Sequence, residues 1–400
     1  CGGDSGKGVT PGVDAARDTG SVDTGGPNPQ PDTGNPAPDT GTPPPAEPAS
    51  DGGTPVDMGG GQPDVAPPTD TGTDGPPPNV NAMIVDQMRK VADWQLPRAG
   101  GAKDWIHGAM WTGIFATYQT TKDVKYLNAV KSWAGAGWTL SGGAGARGDN
   151  QCAAQTFFDV YLLDPTPANM SILAGAKPSF DAVLAENRAG RAEWWWEDAL
   201  FMVPPGFARL GVAMNDKRYF AKMNTLYWDT YAYLWNNGAG LMYRDNGLRG
   251  SFWARGNGWV MAGIARILQY LPQDDPKRPD FIKMLQQMAT ALKAVQGTDG
   301  LWRANLLNPN SIPNPETSGT GFFTFAMAWG INNGHLDKAT YLPVVTKAWA
   351  GLNSHVDAAG KLGYVQPVGA GPAPAGAGST VEYGVGAFLL AGSEMAKLVP

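Results

Sequence analysis

Cysteine is almost missing from this 400-residue chain, which has only Cys1 and Cys152. Two widely separated thiols exclude a disulfide-stapled scaffold and a thiolate zinc site. Cys152 is read as a small buried apolar residue. Histidine is nearly as scarce, at His107, His335 and His355, and no spaced acidic cluster accompanies it. The sequence therefore offers no metal site and implies no cofactor. No apolar run approaches the roughly 20 residues that span a bilayer. A G-x-S-x-G elbow, a P-loop and a dinucleotide fingerprint are all missing too.

Residues 1–80 contain no aromatic residue, and all 15 Trp fall in 81–400. The first stretch is almost wholly Gly, Pro, Thr, Asp, Ser and Ala. Such a composition cannot bury enough apolar surface to offset its ordering entropy, so 1–80 is expected to be a disordered, semi-stiff tether. Cys1, followed by Gly2-Gly3 and that tether, looks like the lipidated first residue of a mature bacterial lipoprotein whose signal peptide has been removed. The expected location is the cell envelope, with membrane attachment through lipid alone. Gly2 in place of Asp after the Cys favours the outer membrane in a Gram-negative source. Residues 81–400 are expected to form the folded domain.

Charge divides at the same boundary. Residues 1–80 hold Lys7 and Arg17 against eleven Asp and one Glu, a net −10, while the whole chain is −6; the remainder is therefore +4. A mildly basic domain without Lys/Arg runs suits an anionic small substrate and argues against a nucleic-acid partner. Oligomeric state is not encoded in any feature of the sequence.

Six short polar or aromatic segments each open a helix-like apolar run: Asp104-Trp105-Ile106-His107-Gly108, Gly148-Asp149-Asn150-Gln151, Trp196 to Met202, Trp253 to Trp259, Pro315 to Thr320, and Val381-Glu382-Tyr383-Gly384. Between them recur Asp-bearing turns that can cap the next helix: Thr121 to Tyr126, Asn215 to Tyr219, Asp275 to Arg278 and Leu336 to Tyr341, with Asp164-Pro165-Thr166-Pro167 where a fifth is due. The runs read as amphipathic, as with Val260, Ile264, Ile267, Leu268 and Leu271. About twelve helices in six hairpins, counted from Ile84, predict an all-α (α/α)6 barrel with the openings gathered at one end. Periodicity alone leaves an open superhelix equally possible. Short extended pieces, at Gly240 to Tyr243, Gly300 to Trp302 and Gly363 to Val365, precede several openings and can return the chain over the pocket mouth.

The chemistry concentrates in those openings. Glu197-Asp198 follows Trp194, Trp195 and Trp196; a carboxyl in such surroundings has its pKa raised by desolvation and suits a general acid, although Asp is also a common helix cap. Asp149 holds the matching place one hairpin earlier, giving either a mutually repelling pair or an acid and base flanking a glycosidic bond. Trp253 and Trp259 supply flat faces for a sugar ring, and Arg255 supplies a fork for a carboxylate. Asn257, Glu316 and Tyr383 offer further hydrogen-bonding groups. His107 is the one His in an opening.

Taken together, Trp196-Glu197-Asp198-Ala199-Leu200-Phe201-Met202, Trp253-Ala254-Arg255-Gly256-Asn257-Gly258-Trp259 and Glu316-Thr317-Ser318-Gly319 resemble the signature segments of glycoside hydrolase families 105 and 88, the unsaturated uronyl hydrolases. The resemblance runs from about residue 81 to 400. It implies an (α/α)6 barrel that removes a 4,5-unsaturated uronic acid from the non-reducing end of oligosaccharides left by polysaccharide lyases. On the same resemblance Asp198 is the general acid/base and Asp149 a second important acidic position. Met202, Trp253, Arg255 and Trp259 resemble substrate-contacting positions, and Trp196 is a further substrate-binding candidate. The implied mechanism is protonation of C4 by Asp198, addition of water at C5, and opening of the resulting hemiketal. Some members carry a His ahead of the Arg-Gly-Asn-Gly segment; here Gly240 to Asn246 has none, and Arg244 is the candidate sugar contact in its place. A saturated-glycoside hydrolase on the same fold and a non-catalytic carbohydrate-binding lipoprotein are the competing readings.

Overall fold

A computed structural model describes residues 79–398. Cys1 and all but the last two residues of the expected tether lie outside the described residues. Asn79 accepts a hydrogen bond from the Ala82 amide and caps the helix Val80–Gln95.

Among the described residues, twelve helices of nine residues or more alternate between two layers. The inner layer comprises Trp105–Thr121, Ala154–Leu163, Pro204–Ala213, Ala254–Leu268, Thr317–Asn332 and Glu382–Leu398. The outer layer comprises Val80–Gln95, Val124–Ala134, Lys177–Ala185, Lys217–Leu234, Arg278–Ala294 and Lys338–Asn353. Each inner helix packs on the next, and Glu382–Leu398 packs on both Thr317–Asn332 and Trp105–Thr121. The ring is closed, and the fold is the (α/α)6 barrel.

Aspartate capping explains where three of the outer helices begin; the Asp275 turn does not cap Arg278–Ala294, since Asp275 Oδ1 accepts from the Lys277 amide ahead of that helix. Asp123, Asp216 and Asp337 each accept a backbone N–H from the first turn that follows, supplying a partner for an otherwise unpaired donor. Tyr126, Tyr219 and Tyr341 then pack into the core. The fifth expected turn behaves differently. Asp164 accepts the side-chain amide of Asn169 and caps no helix, and the outer helix of that hairpin starts only at Lys177. A 3₁₀ turn, Pro167–Asn169, and the short helix Ser171–Ala174 occupy the intervening stretch.

The two layers bury different fractions of their surface. Arg278–Ala294 is amphipathic, with Phe281, Met284, Leu285, Met288, Ala289 and Leu292 turned inward. Ala254–Leu268, by contrast, is buried along its whole length, because an inner helix meets two inner neighbours and an outer one. The single apolar face read from its sequence is therefore a correction: that helix has no solvent face. Close approach is needed where the ring shuts, since a Cβ on Gly113 would stand 2.6 Å from the Gly386 carbonyl oxygen.

A charged network ties three consecutive inner helices. Asp159 Oδ1 accepts from Arg209 Nε at 2.7 Å and from Tyr270 Oη at 2.9 Å, while Oδ2 accepts from Arg266 Nη2 at 3.1 Å. All three charged groups are buried.

The extended pieces dock on the openings. Leu241–Met242 pairs antiparallel with Trp235–Asn236. Trp302 bridges to Glu316 and Trp253 to Asn305. The Arg244 carbonyl accepts from the Glu197 amide, and the Tyr364 carbonyl accepts from the Thr317 amide. These backbone bonds hold the polar openings as a layer over the inner-helix N-termini.

Candidate active site

Eight of the sequence-selected side chains meet in one cavity: Asp149, Trp196, Asp198, Met202, Arg244, Trp253, Arg255 and Trp259, joined by Trp105 and Gly369. Asp198 sits immediately before the short helix Ala199–Met202. Its main-chain carbonyl accepts from Phe201 and Met202, but its side chain caps nothing. Oδ1 is buried without a hydrogen-bond partner. Burial pushes its pKa up to about 7, against the pull of Arg255 and Arg244 and with a further push from Asp149 and Asp245. The capping alternative therefore fails on geometry, and the raised pKa keeps part of the carboxyl neutral near pH 7, as a general acid requires.

Asp149 lies in the 3₁₀ turn Gly148–Gln151. Burial raises its pKa to about 6, moderated by Arg244. The two carboxyls in the cavity thus differ, with Asp149 losing its proton first.

Trp253, Trp259 and Met202 are almost fully buried while still facing the cavity. Trp259 rests on Phe201 and Phe322, with ring centroids 4.8 and 4.2 Å away. Trp105 stacks on Tyr383 at 5.3 Å, bringing the first and last openings together. Trp105 was not among the residues singled out as site candidates. Its signal was available, since it follows the Asp of an opening just as other Trp residues flank theirs.

Arg255 differs from expectation. Its guanidinium does not stand free: Nη1 donates to the carbonyls of Gln366 and Pro367, both at 2.9 Å, and to Tyr383 Oη, while Nη2 donates to the Gly369 carbonyl at 3.0 Å. It also stacks over Trp253 and Tyr383. Arg255 thus pins the 366–369 segment across the cavity edge, leaving Nε buried without a partner. Arg244 is the second cavity cation; it pairs with Asp245, stands over Trp195, and has a buried, unpartnered Nε.

Three candidates sit outside the cavity lining. Asn257 clamps a strand: its Oδ1 accepts from the Met242 amide at 2.8 Å, and its Nδ2 donates to the Met242 and Trp253 carbonyls. Glu316 caps Thr317–Asn332 through the Ser318 and Gly319 amides at 2.8 and 2.7 Å. His107 Nδ1 bonds Asp104 Oδ1 at 2.7 Å, a contact that raises its pKa. The structure gives these three polar side chains scaffold partners, and such local uses are indistinguishable from substrate contacts in sequence. Glu197 is also withdrawn from the cavity, fully buried with neither carboxyl oxygen hydrogen-bonded; burial and the neighbouring Asp198 hold its pKa well above the usual range. Among the described residues, no group of three His, Cys, Asp or Glu converges as a metal set would.

An acid of raised pKa beside aromatic faces and two cations suits an acidic sugar, and similar proteins have names that fit such a site. Over 346 residues the chain is 35% identical to an unsaturated 3S-rhamnoglycuronyl hydrolase of Formosa agariphila, covering 80% of this chain and 92% of that one. A solved glycosyl hydrolase family 88 structure from Bacteroides vulgatus is 30% identical, with a TM-score of 0.73 over 80% of this chain and 99% of the other. Another solved chain, named a polysaccharide lyase, is 34% identical at the same TM-score, covering 80% and 98%. Residues 79–399 match the family described as Glycosyl Hydrolase Family 88, so nearly the whole described domain is accounted for, and the chain belongs to that family.

Proposed function

We propose that this enzyme removes a 4,5-unsaturated uronic acid from the non-reducing end of lyase-generated oligosaccharides, with Asp198 as the acid and base. The observation that carries the assignment is the buried Asp198 carboxyl, whose Oδ1 has no hydrogen-bond partner, on a residue that lines an aromatic cavity. The substrate's C4=C5 bond belongs to a vinyl ether. Asp198 gives its proton to C4, leaving an oxocarbenium centre at C5; water adds there and returns a proton to Asp198. The C5 hemiketal then opens, breaking the bond from the ring oxygen to C5 and freeing the aglycone as C1 becomes an aldehyde. One carboxyl of raised pKa serves both proton transfers.

Asp149, the lower-pKa partner, is proposed to work as a carboxylate that orients the attacking water. Trp196, Trp253 and Trp259 frame the ring. Arg244 is the proposed contact for the uronate carboxylate, because most of the Arg255 donor set is already bonded to carbonyls. Rhamnose as the neighbouring sugar is proposed from the name of the 35% identical relative.

The test is absorbance at the unsaturated-uronate band with a panel of lyase-generated disaccharides. A hydrolase of this kind erases the band, whereas a lyase creates it from an uncut polymer. Asp198→Asn is expected to keep the fold and lose the signal change; near-normal turnover by that variant would sink the assignment.

A further inference from the structure

Beside the enclosed cavity runs a wider groove that shares Trp105, Asp149 and Trp196 with it and adds Arg147, Arg188, Glu193 and Trp195. Trp195 is 46% exposed, although Trp194 in the same run is fully buried. Its ring is nonetheless held in place. Trp196 tilts against it with centroids 4.8 Å apart, and the Arg244 guanidinium lies 5.1 Å from its centre. Arg244 in turn is anchored by Asp245, whose carboxylate also accepts the Gly247 and Leu248 amides.

An exposed indole fixed by a stacked cation has the properties of a sugar platform: a flat apolar face, little ordering entropy left to lose, and polar groups around its rim. Those polar groups are present. Arg188 is 54% exposed along its side chain and bonds Glu193 through Nη1, while Arg147 is paired with Glu186. Cation and carboxylate alternate there, so the groove suits hydroxyl-rich rings more than a multiply charged one.

We propose that Trp195 is a specificity-determining residue whose ring stacks on the sugar attached to the departing side of the unsaturated uronate. The inference rests on the reaction proposed above, because it takes the enclosed cavity as the uronate site and the shared wall of Trp105, Asp149 and Trp196 as the crossing point. Arg244 then bridges both sites, facing the uronate on one side and bracing the Trp195 platform on the other.

The experiment compares two substrates with the wild-type protein, Trp195→Ala and Trp195→Phe: an unsaturated uronyl disaccharide and the methyl glycoside of the same uronate. Loss of one stacking contact raises KM for the disaccharide about tenfold. Turnover number stays within about twofold, the methyl glycoside is indifferent to the change, and Phe restores most of the difference. Equal effects on both substrates, or no effect on the disaccharide, overturn the proposal. Calorimetric binding of the disaccharide to Asp198→Asn, with and without Trp195→Ala, separates the two readings. Binding that depends on Trp195 in a protein whose wild type turns nothing over supports the platform and refutes the reaction; binding indifferent to Trp195 refutes the platform.

Discussion

Glu197 packs its carboxyl against Gly256, so that a methyl group there would overlap Oε1 and stand 2.8 Å from Trp253 Cε3. The contact joins the residue before the proposed acid to the residue after Arg255. Gly256→Ala is expected to force Glu197 aside in a packed site, lowering stability by about 1–3 kcal/mol. It should also reduce kcat/KM at least tenfold by shifting Asp198. Thermal denaturation and steady-state kinetics check both; an unchanged variant would mean that Glu197 can swing away freely.

Glu197 also makes a pH signature. Its folded-state pKa is raised well above the ordinary Glu value by burial and by Asp198. Above about pH 4.5 the folded form therefore holds a proton that the unfolded chain has lost, and stability falls as pH rises. Replacement by Gln removes this dependence. Glu197→Gln is expected to melt no lower than wild type at pH 4.5 and higher at pH 8, by on the order of 2 °C or more.

On the proposed mechanism, the two cavity carboxyls set the rate profile. Asp198, raised to about 7, must be protonated to donate to C4, so turnover falls tenfold per unit above that pH. Asp149, raised to about 6, must be ionised to orient water, so turnover also falls below that pH. A narrow bell between the two values is expected. Asp149→Asn should flatten the acid limb and, by removing a push on Asp198, move the alkaline limb to lower pH.

Asn257 distinguishes scaffold from substrate contact. Its carboxamide satisfies both backbone groups of Met242 in a buried setting. Removing it strands those groups and costs about 1–3 kcal/mol. Asn257→Ala is expected to lower the melting temperature and to leave KM nearly unchanged in the folded fraction, whereas a sugar-binding Asn would show the reverse.

Asp159 stands between two buried arginines. Asp159→Ala leaves both guanidinium groups without their shared anion and is expected to lose about 3–5 kcal/mol, read by denaturant titration, with the KM of surviving enzyme unaltered.

What the sequence disclosed follows from range. The Asp123, Asp216 and Asp337 caps involve partners two or three residues away, so residue spacing reveals them. Ring closure needs Gly386 against Gly113, a contact between the last and first inner helices that periodicity does not encode. In the site, the grouping of Asp149 with Asp198 and of Trp196 with Trp253 was legible because every opening begins an inner helix. The duties of Asn257, Glu316 and Arg255 were not, because a polar side chain in an opening can serve the backbone as readily as a sugar. Arg255 shows this best: its partners at 366–369 come from a distant irregular segment with no recurring pattern.

The stacking of Trp105 on Tyr383 also has a consequence during synthesis. A ribosome makes Trp105, which lines the cavity, well before Tyr383, which backs it. Until Glu382–Leu398 emerges, the nascent chain exposes the edge of Trp105–Thr121 that this helix covers. The cavity therefore lacks the support behind Trp105 until that helix has been made.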